Sequence, residues 1–398
     1  MTILIQIGHG KSDKVDVATL NNYASGAIFC PKGESSLEKL KEVVLQYTRK
    51  GIDVHFDPQF YFSVIENAQN SKFQDYNSYF TSDRKPKDFM SPKKILSYVE
   101  PCIALQNELA TNSIMSPSCI IESFEGLWCQ TSLIMAQSSI EYVEEQGISK
   151  NLYCSFIISD VAFEGSKEAM DDFITNITSI ENLDRIYLII NKTNEAYSQQ
   201  LEVEKLKNIL YLIYSLSDRN CIEIICGYSD IIGLLYLTAG AKSIATGWHQ
   251  SLRRFSKSRY QKESGGGGKV RQRYTSLPLF NSVLNSELNT INRLGLLSVV
   301  LSETPFDELI IENPMNDAWS NTGNAFYHHL FCLNKVASEL SEIDDINDRI
   351  ELMLDKISSA KLCYTRLINA GIPFDQYTGN THLGQWEDAL NGLKGMIE

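Results

Sequence analysis

Short apolar runs rich in Ile, Val and Phe recur along the chain, and between them lie stretches whose apolar positions return every three to four residues. The runs are "SGAIFC" (25–30), "GIDVHF" (51–56), "SCIIES" (118–123), "NLYCSFIIS" (151–159), "RIYLII" (185–190), "CIEIIC" (221–226) and "KSIAT" (242–246). Runs apolar on both faces read as strands of a parallel sheet covered on both sides. The clearest intervening helix is "SSLEKLKEVVLQYTRKG". A Ser N-cap precedes apolar residues at helical spacing, the last turn is basic, and Gly51 closes it.

Seven such runs, with "LGLLSVVLS" (294–302) as an eighth, predict an α/β fold. A (β/α)8 TIM barrel fits better than the alternative, a doubly wound open sheet. "MTILIQIG" would add a strand outside that count. The polar segment 60–115 reads as an insertion after the second strand, on the face where barrels carry their sites, and suited to form a lid. The barrel would occupy 1–320, and 321–398 would be a helical C-terminal appendage. Two of its helices would be separated near Glu342 to Asn347, the second ending at Gly371.

Composition narrows the function classes. With 398 residues, 43% of them hydrophobic, the chain can bury a large core, and a net charge of −13 argues against broad coating of nucleic acid. Nine scattered cysteines without a CxxC pair, and no signal peptide ahead of them, suggest reduced thiols in a cytoplasmic protein. The most apolar stretch, 222–241, is broken by Gly227, Ser229, Asp230 and Gly233, so no membrane span is expected.

The charge departs from this pattern in one place, the Gly-rich loop 253–274, with eight Lys or Arg against one Glu between Arg253 and Arg273. Arg253, Arg254, Lys257, Arg259, Lys269, Arg271 and Arg273 would hold an anion there, on a nucleic acid or an acidic protein surface. A solvated charge run explains the same letters. Its four glycines, 265–268, lack the arrangement of a P-loop. Self-association stays open.

In a barrel, chemistry collects just beyond the strands. The residues there are Asp57 and Gln59, Glu122, Asp160, Asn191, Tyr228 with Asp230, and Gly247, Trp248 and His249. Asp57, Glu122 and Asp160 are the candidate catalytic acids. The amides and aromatics among the others suit a polar heterocycle, with Gly247 allowing close approach. Helix capping is the competing account of the acids. His249 could meet a phosphate or a stacked base, or simply start a helix. His328 and His329 fall in an amphipathic helix without a cysteine cluster, so packing accounts for them and neither metal nor cofactor is expected.

"CGYSDIIGLLYLTAGAKSIATGWHQSLRRFS" resembles, in spacing, the region of tRNA-guanine transglycosylases that runs from a strand ending in Gly, through a helix, into the strand bearing the catalytic aspartate. "FDPQFYF" is similar to that family's early strand end, which implies a base-pocket role for Asp57, with Glu122 near the place of a second pocket acid. "NAFYHHLFCLNKVASEL" is similar to the C-terminal helix that completes the family's zinc site. The resemblance spans about residues 20–365. Two departures matter: counting from Gly240, the nucleophile's place falls at Ala245, and "LSETPFDELIIENP" stands where the zinc cysteines would lie. The resemblance therefore implies a pocket for guanine or a 7-deazaguanine without the nucleophile of double displacement, in a binding or accessory protein. Divergent members occur in bacterial anti-phage (CBASS-type) systems. The alternative is an active base-exchange or glycosyl-transfer enzyme on tRNA, DNA or a nucleotide that uses Asp57, Glu122 or Asp160.

Overall fold

Nine parallel strands wind into a nearly closed barrel in the computed structural model, which describes residues 1–8, 13–34, 36–68, 74–76, 84–194, 198–261, 273–315, 319 and 323–397. They are β1 (Thr2–Gln6), β2 (Gly26–Phe29), β3 (Asp53–Phe56), β4 (Ser113–Met115), β5 (Ile120–Ile121), β6 (Asn151–Ser159), β7 (Arg185–Asn191), β8 (Glu223–Gly227) and β9 (Ser243–Thr246). Neighbours run β3-β2-β1-β9-β8-β7-β6-β4. β4 pairs with Asn151–Tyr153 and β5 with Ile157–Ile158, so these two are the ends of one interrupted stave, and the barrel has eight staves. Every residue of β2 and of β9 is buried, which is why neither run alternates in polarity. The α/β class and the (β/α)8 barrel expected from the apolar runs are present.

"MTILIQIG" is not outside the barrel: β1 lies between β2 and β9. "LGLLSVVLS" is not a strand. It follows helix Asn285–Arg293, turns at Gly295 (φ 69°), and forms a 3-10 turn over Leu297–Val299. Leu297 and Val300 are buried while Leu294 is exposed, and with β1 in the eighth place no stave is left for this run to fill. The 60–115 segment is also more than an insertion. It contains the helix Pro92–Glu108 and strand β4, and only its first part lies outside the β/α rhythm. Arg84 stacks its guanidinium on Tyr98 (3.9 Å) and Phe60 (4.9 Å), tying that part to the helix.

Between β3 and β4 the ladder is replaced largely by side chains. Asn112 N donates to Val54 O (2.8 Å), Val54 N donates to Asn112 Oδ1 (2.7 Å), and His55 bridges Ser113 Oγ (2.6 Å) and Asp53 Oδ2 (3.0 Å). Two residues beyond Ser113, the buried amide of Gln106 accepts from Met115 N (2.8 Å) and donates to Met115 O (2.7 Å). A side chain thus completes an edge that no strand covers.

Helix Asn324–Ser341 packs on β1 and on Gly233–Thr238, taking the place of the barrel's last helix. Ile346–Asn369 follows, ending before Gly371 (φ 83°), and Thr381–Ile397 packs on Val203–Ser217. The expected break and stop of the C-terminal helices are both found. No described helix is long and apolar enough to cross a membrane.

Gln106→Leu should keep the volume but leave two buried backbone groups of Met115 unpaired. Stability should fall by about 2–4 kcal/mol, measured by urea unfolding, because each orphaned group costs about 1–3 kcal/mol.

Candidate functional site

The strands deliver their C-terminal ends to one mouth, and two of those ends hold bulky residues in left-handed backbone: Gln59 (φ 53°) beyond β3 and Tyr228 (φ 51°) beyond β8. Glycine would relieve this strain, and side chains kept in such conformations tend to mark function. The two meet across the barrel, Gln59 Nε2 donating to Tyr228 Oη (3.1 Å) and to Tyr260 Oη (2.8 Å), while Gln59 Oε1 accepts from Lys32 N (3.1 Å). Beneath them Asp57 is 2% exposed. Its Oδ1 accepts from Gln59 N (2.9 Å), and its Oδ2 from Tyr61 Oη (2.8 Å) and, at longer range, Tyr187 Oη (3.5 Å).

Burial raises the Asp57 carboxyl to about 6, against the lowering by Gln59 N, the two phenols and the Arg259 charge. Desolvation outweighs three hydrogen bonds and a cation because little water reaches the group. The same burial pushes the phenols of Tyr61, Tyr187 and Tyr228 well above their ordinary range. Around this cluster, Gln6 Nε2, on a side chain with no exposure, and Arg259 Nη1 have no hydrogen-bond partner among the described residues.

The chain beyond β9 folds back over this mouth, burying Leu252, Phe255 and Tyr260. Phe255 sets its ring edge-on to Tyr61 (5.1 Å) and Tyr228 (5.8 Å). Gly247 does admit a close approach, but of the chain itself: a Cβ there would lie 2.3 Å from Leu252 Cβ and 2.9 Å from Gln6 O. Gly227 likewise leaves room for the Tyr187 ring.

Tyr228 also borders a second cluster at the ends of β7 and β8, around a cavity of about 30 Å³ lined by Lys192, Gln199, Asp230, Arg253 and Arg254. Lys192 Nζ donates to Ser198 O (2.9 Å). Burial lowers its ammonium to about 8, opposed by Asp230 and Asp160 and reinforced by Arg254. Gln199 donates to Asp230 Oδ2 (3.0 Å), whereas the buried Asp230 Oδ1 has no hydrogen-bond partner among the described residues.

The candidate acids are not brought together. Asp57 centres the first cluster. Glu122 is exposed and paired with Lys257. Asp160 is buried but accepts from Thr193 N (3.0 Å), on the side of the second cluster. Asn191 donates to Ser159 Oγ (3.1 Å) between β6 and β7, and Trp248 contacts Phe326 and Lys14 rather than the Asp57 network. Of the basic residues, Arg253 donates to Gly247 O (2.8 Å), Arg259 faces the phenols, and Arg273 lies in the β10 (Arg273–Ser276) to β11 (Asn281–Leu284) hairpin, donating to Ser282 O (2.8 Å). Lys269, Arg271 and the four glycines lie outside the described residues.

His328 and His329 are buried and direct their ring nitrogens to Thr304, Thr275 and Thr246. Among the described residues no group of three or more His, Cys, Asp or Glu is arranged to hold a metal. Sequence reasoning missed Gln6, Tyr61, Tyr187, Lys192 and Tyr260. Gln6 and Tyr187 carried a signal, the one a polar group closing the aliphatic run of β1, the other a phenol within that of β7.

The folded Asp57 carboxyl keeps its proton up to about pH 6, whereas an unfolded aspartate releases it near pH 4. Its stabilising contribution is therefore complete below about pH 4 and lost as the pH rises through 6. Asp57→Asn removes that loss. The variant should gain about 1–3 kcal/mol over the wild type at pH 8 and nothing at pH 4, read by urea unfolding at both values.

No family model, curated protein or solved structure matches the chain.

Proposed function

We propose that the barrel mouth binds a purine or 7-deazapurine and that the chain acts as a binding or accessory protein rather than a base-exchange enzyme. The observation that carries this is the strained pair Gln59 and Tyr228, meeting over a buried carboxyl. Asp57 offers an acceptor, and Gln6 Nε2 and Arg259 Nη1 offer donors without partners among the described residues. A lactam edge, N–H beside C=O, matches that set, and the tyrosines supply faces for the ring. A place in anti-phage defence rests on the transglycosylase resemblance alone.

Ala245 is buried in β9 in register with Leu4, and a methyl group cannot attack a ribose. Glu122 and Asp160 are committed to Lys257 and Thr193. One observation favours a second reading: a carboxyl near 6 is suited to proton transfer at neutral pH, so Asp57 could act as an acid or base without a covalent step.

Calorimetry with guanine, queuine and 7-cyano-7-deazaguanine tests the proposal. Binding of at least one is expected, weakened about 10- to 100-fold by Asp57→Ala, as for loss of a charged hydrogen bond. No binding by the folded protein overturns it. Release or exchange of a base, abolished by Asp57→Asn, would transfer the assignment to the enzyme reading.

Small-molecule pockets usually span about 300–1,000 Å³, so a base enters only if the covering segment 248–261 withdraws. Leu252→Ala should loosen that cover, lowering stability by about 2–4 kcal/mol and speeding association in stopped-flow fluorescence.

A further inference from the structure

The Asp57 network leaves unexplained a lysine beside a small cavity at the same mouth. Lys192 directly follows β7, and its amine meets one carbonyl, Ser198 O. The cavity wall carries Arg253, Arg254 and Asp230, and Asp230 Oδ1 lies buried without a hydrogen bond among the described residues. The nearest cationic candidate to that oxygen is His329 Nε2 at 3.6 Å, on an imidazole that burial keeps neutral.

We propose that Lys192 is an amine nucleophile that forms an imine with a small carbonyl compound carrying a carboxylate or phosphate. Two guanidiniums, those of Arg253 and Arg254, line the same cavity and supply the anion contact, Arg254 close enough to act on the amine's charge. A lysine is made nucleophilic by burial and by a neighbouring cation, and both act here. With the amine near 8, about half is neutral at pH 8, against roughly one in 300 for a surface lysine.

The step balances. The neutral amine adds to the carbonyl carbon to give an ammonium and an alkoxide, and Asp230 moves one proton from that nitrogen to the oxygen. A second proton, passed through Asp230 from solvent, turns the resulting hydroxyl into a water leaving group, so that the product is the protonated imine. Water leaves, the nitrogen lone pair closes the C=N bond, and addition of water reverses the sequence. The groups that set this titration are Asp230, Asp160 and Arg254, with Arg253, Tyr228 and Tyr236 on the same cavity wall. A cavity of about 30 Å³ admits little more than water, so Gln250, Arg253 and Arg254 must shift with the covering segment when the ligand enters.

The full-length chain is incubated with pyruvate or dihydroxyacetone phosphate and sodium cyanoborohydride, then analysed by intact mass and peptide mapping. One adduct per chain at Lys192 is expected, saturating with probe concentration and slowing below pH 8. Lys192→Arg should abolish it, Arg254→Ala should reduce it at least tenfold, and acetone, lacking the anion, should label poorly. Adducts spread over surface lysines, or labelling unchanged in Lys192→Arg, overturn the proposal. If Lys192→Arg does not fold, the map of the wild-type adduct decides alone. The assignment is independent of the nucleobase reading, since failure of the calorimetry leaves this result untouched.

Discussion

A parallel barrel must give every backbone N–H and C=O at its closing edge a partner, because an orphaned buried group costs as much as a good part of the protein's whole stability. Here that demand is concentrated between β3 and β4. Asn112, the His55–Ser113 contact and the Gln106 amide do together what a continuous ladder does between the other staves. The barrel mouth depends on this seam. Asp57 is the first residue beyond β3, held by a hydrogen bond from its N–H to Phe29 O (2.8 Å), so the position of β3 sets the position of the carboxyl.

Several groups at the mouth are held at a cost in stability. Asp57 is kept where its charge is disfavoured, Gln59 and Tyr228 are kept where their backbones are strained, and donors on Gln6 and Arg259 are buried without partners among the described residues. Any one of these has a structural explanation. They converge on one connected set of side chains, which is the ground for the proposal of a ligand there.

Among the described residues, the positive charges beyond β9 are engaged by the protein itself. Lys257 pairs with Glu122, Arg253 holds a backbone carbonyl, Arg259 turns to the phenols, and Arg254 joins Lys192 at the cavity. On an acidic chain, this arrangement gathers cations near the strand ends. The covering segment belongs to both clusters, through Tyr260 in one and Arg253 in the other.

What the sequence determined by itself was local. Strand identity came from runs buried on both faces, the helix ends from Ser36 and Gly51, the C-terminal helices from their periodicity, and the placing of Asp57, Gln59 and Tyr228 at strand ends from the apolar runs before them. Tertiary structure decided which run took the eighth stave, because "MTILIQIG" and "LGLLSVVLS" are equally apolar and only β2 and β9 on either side distinguish them. It also decided which acids share a site. Burial and through-space charge, which set the states of Asp57 and Lys192, depend on groups up to about 200 residues apart in the chain, such as Asp57 and Arg259, and no periodicity records that distance.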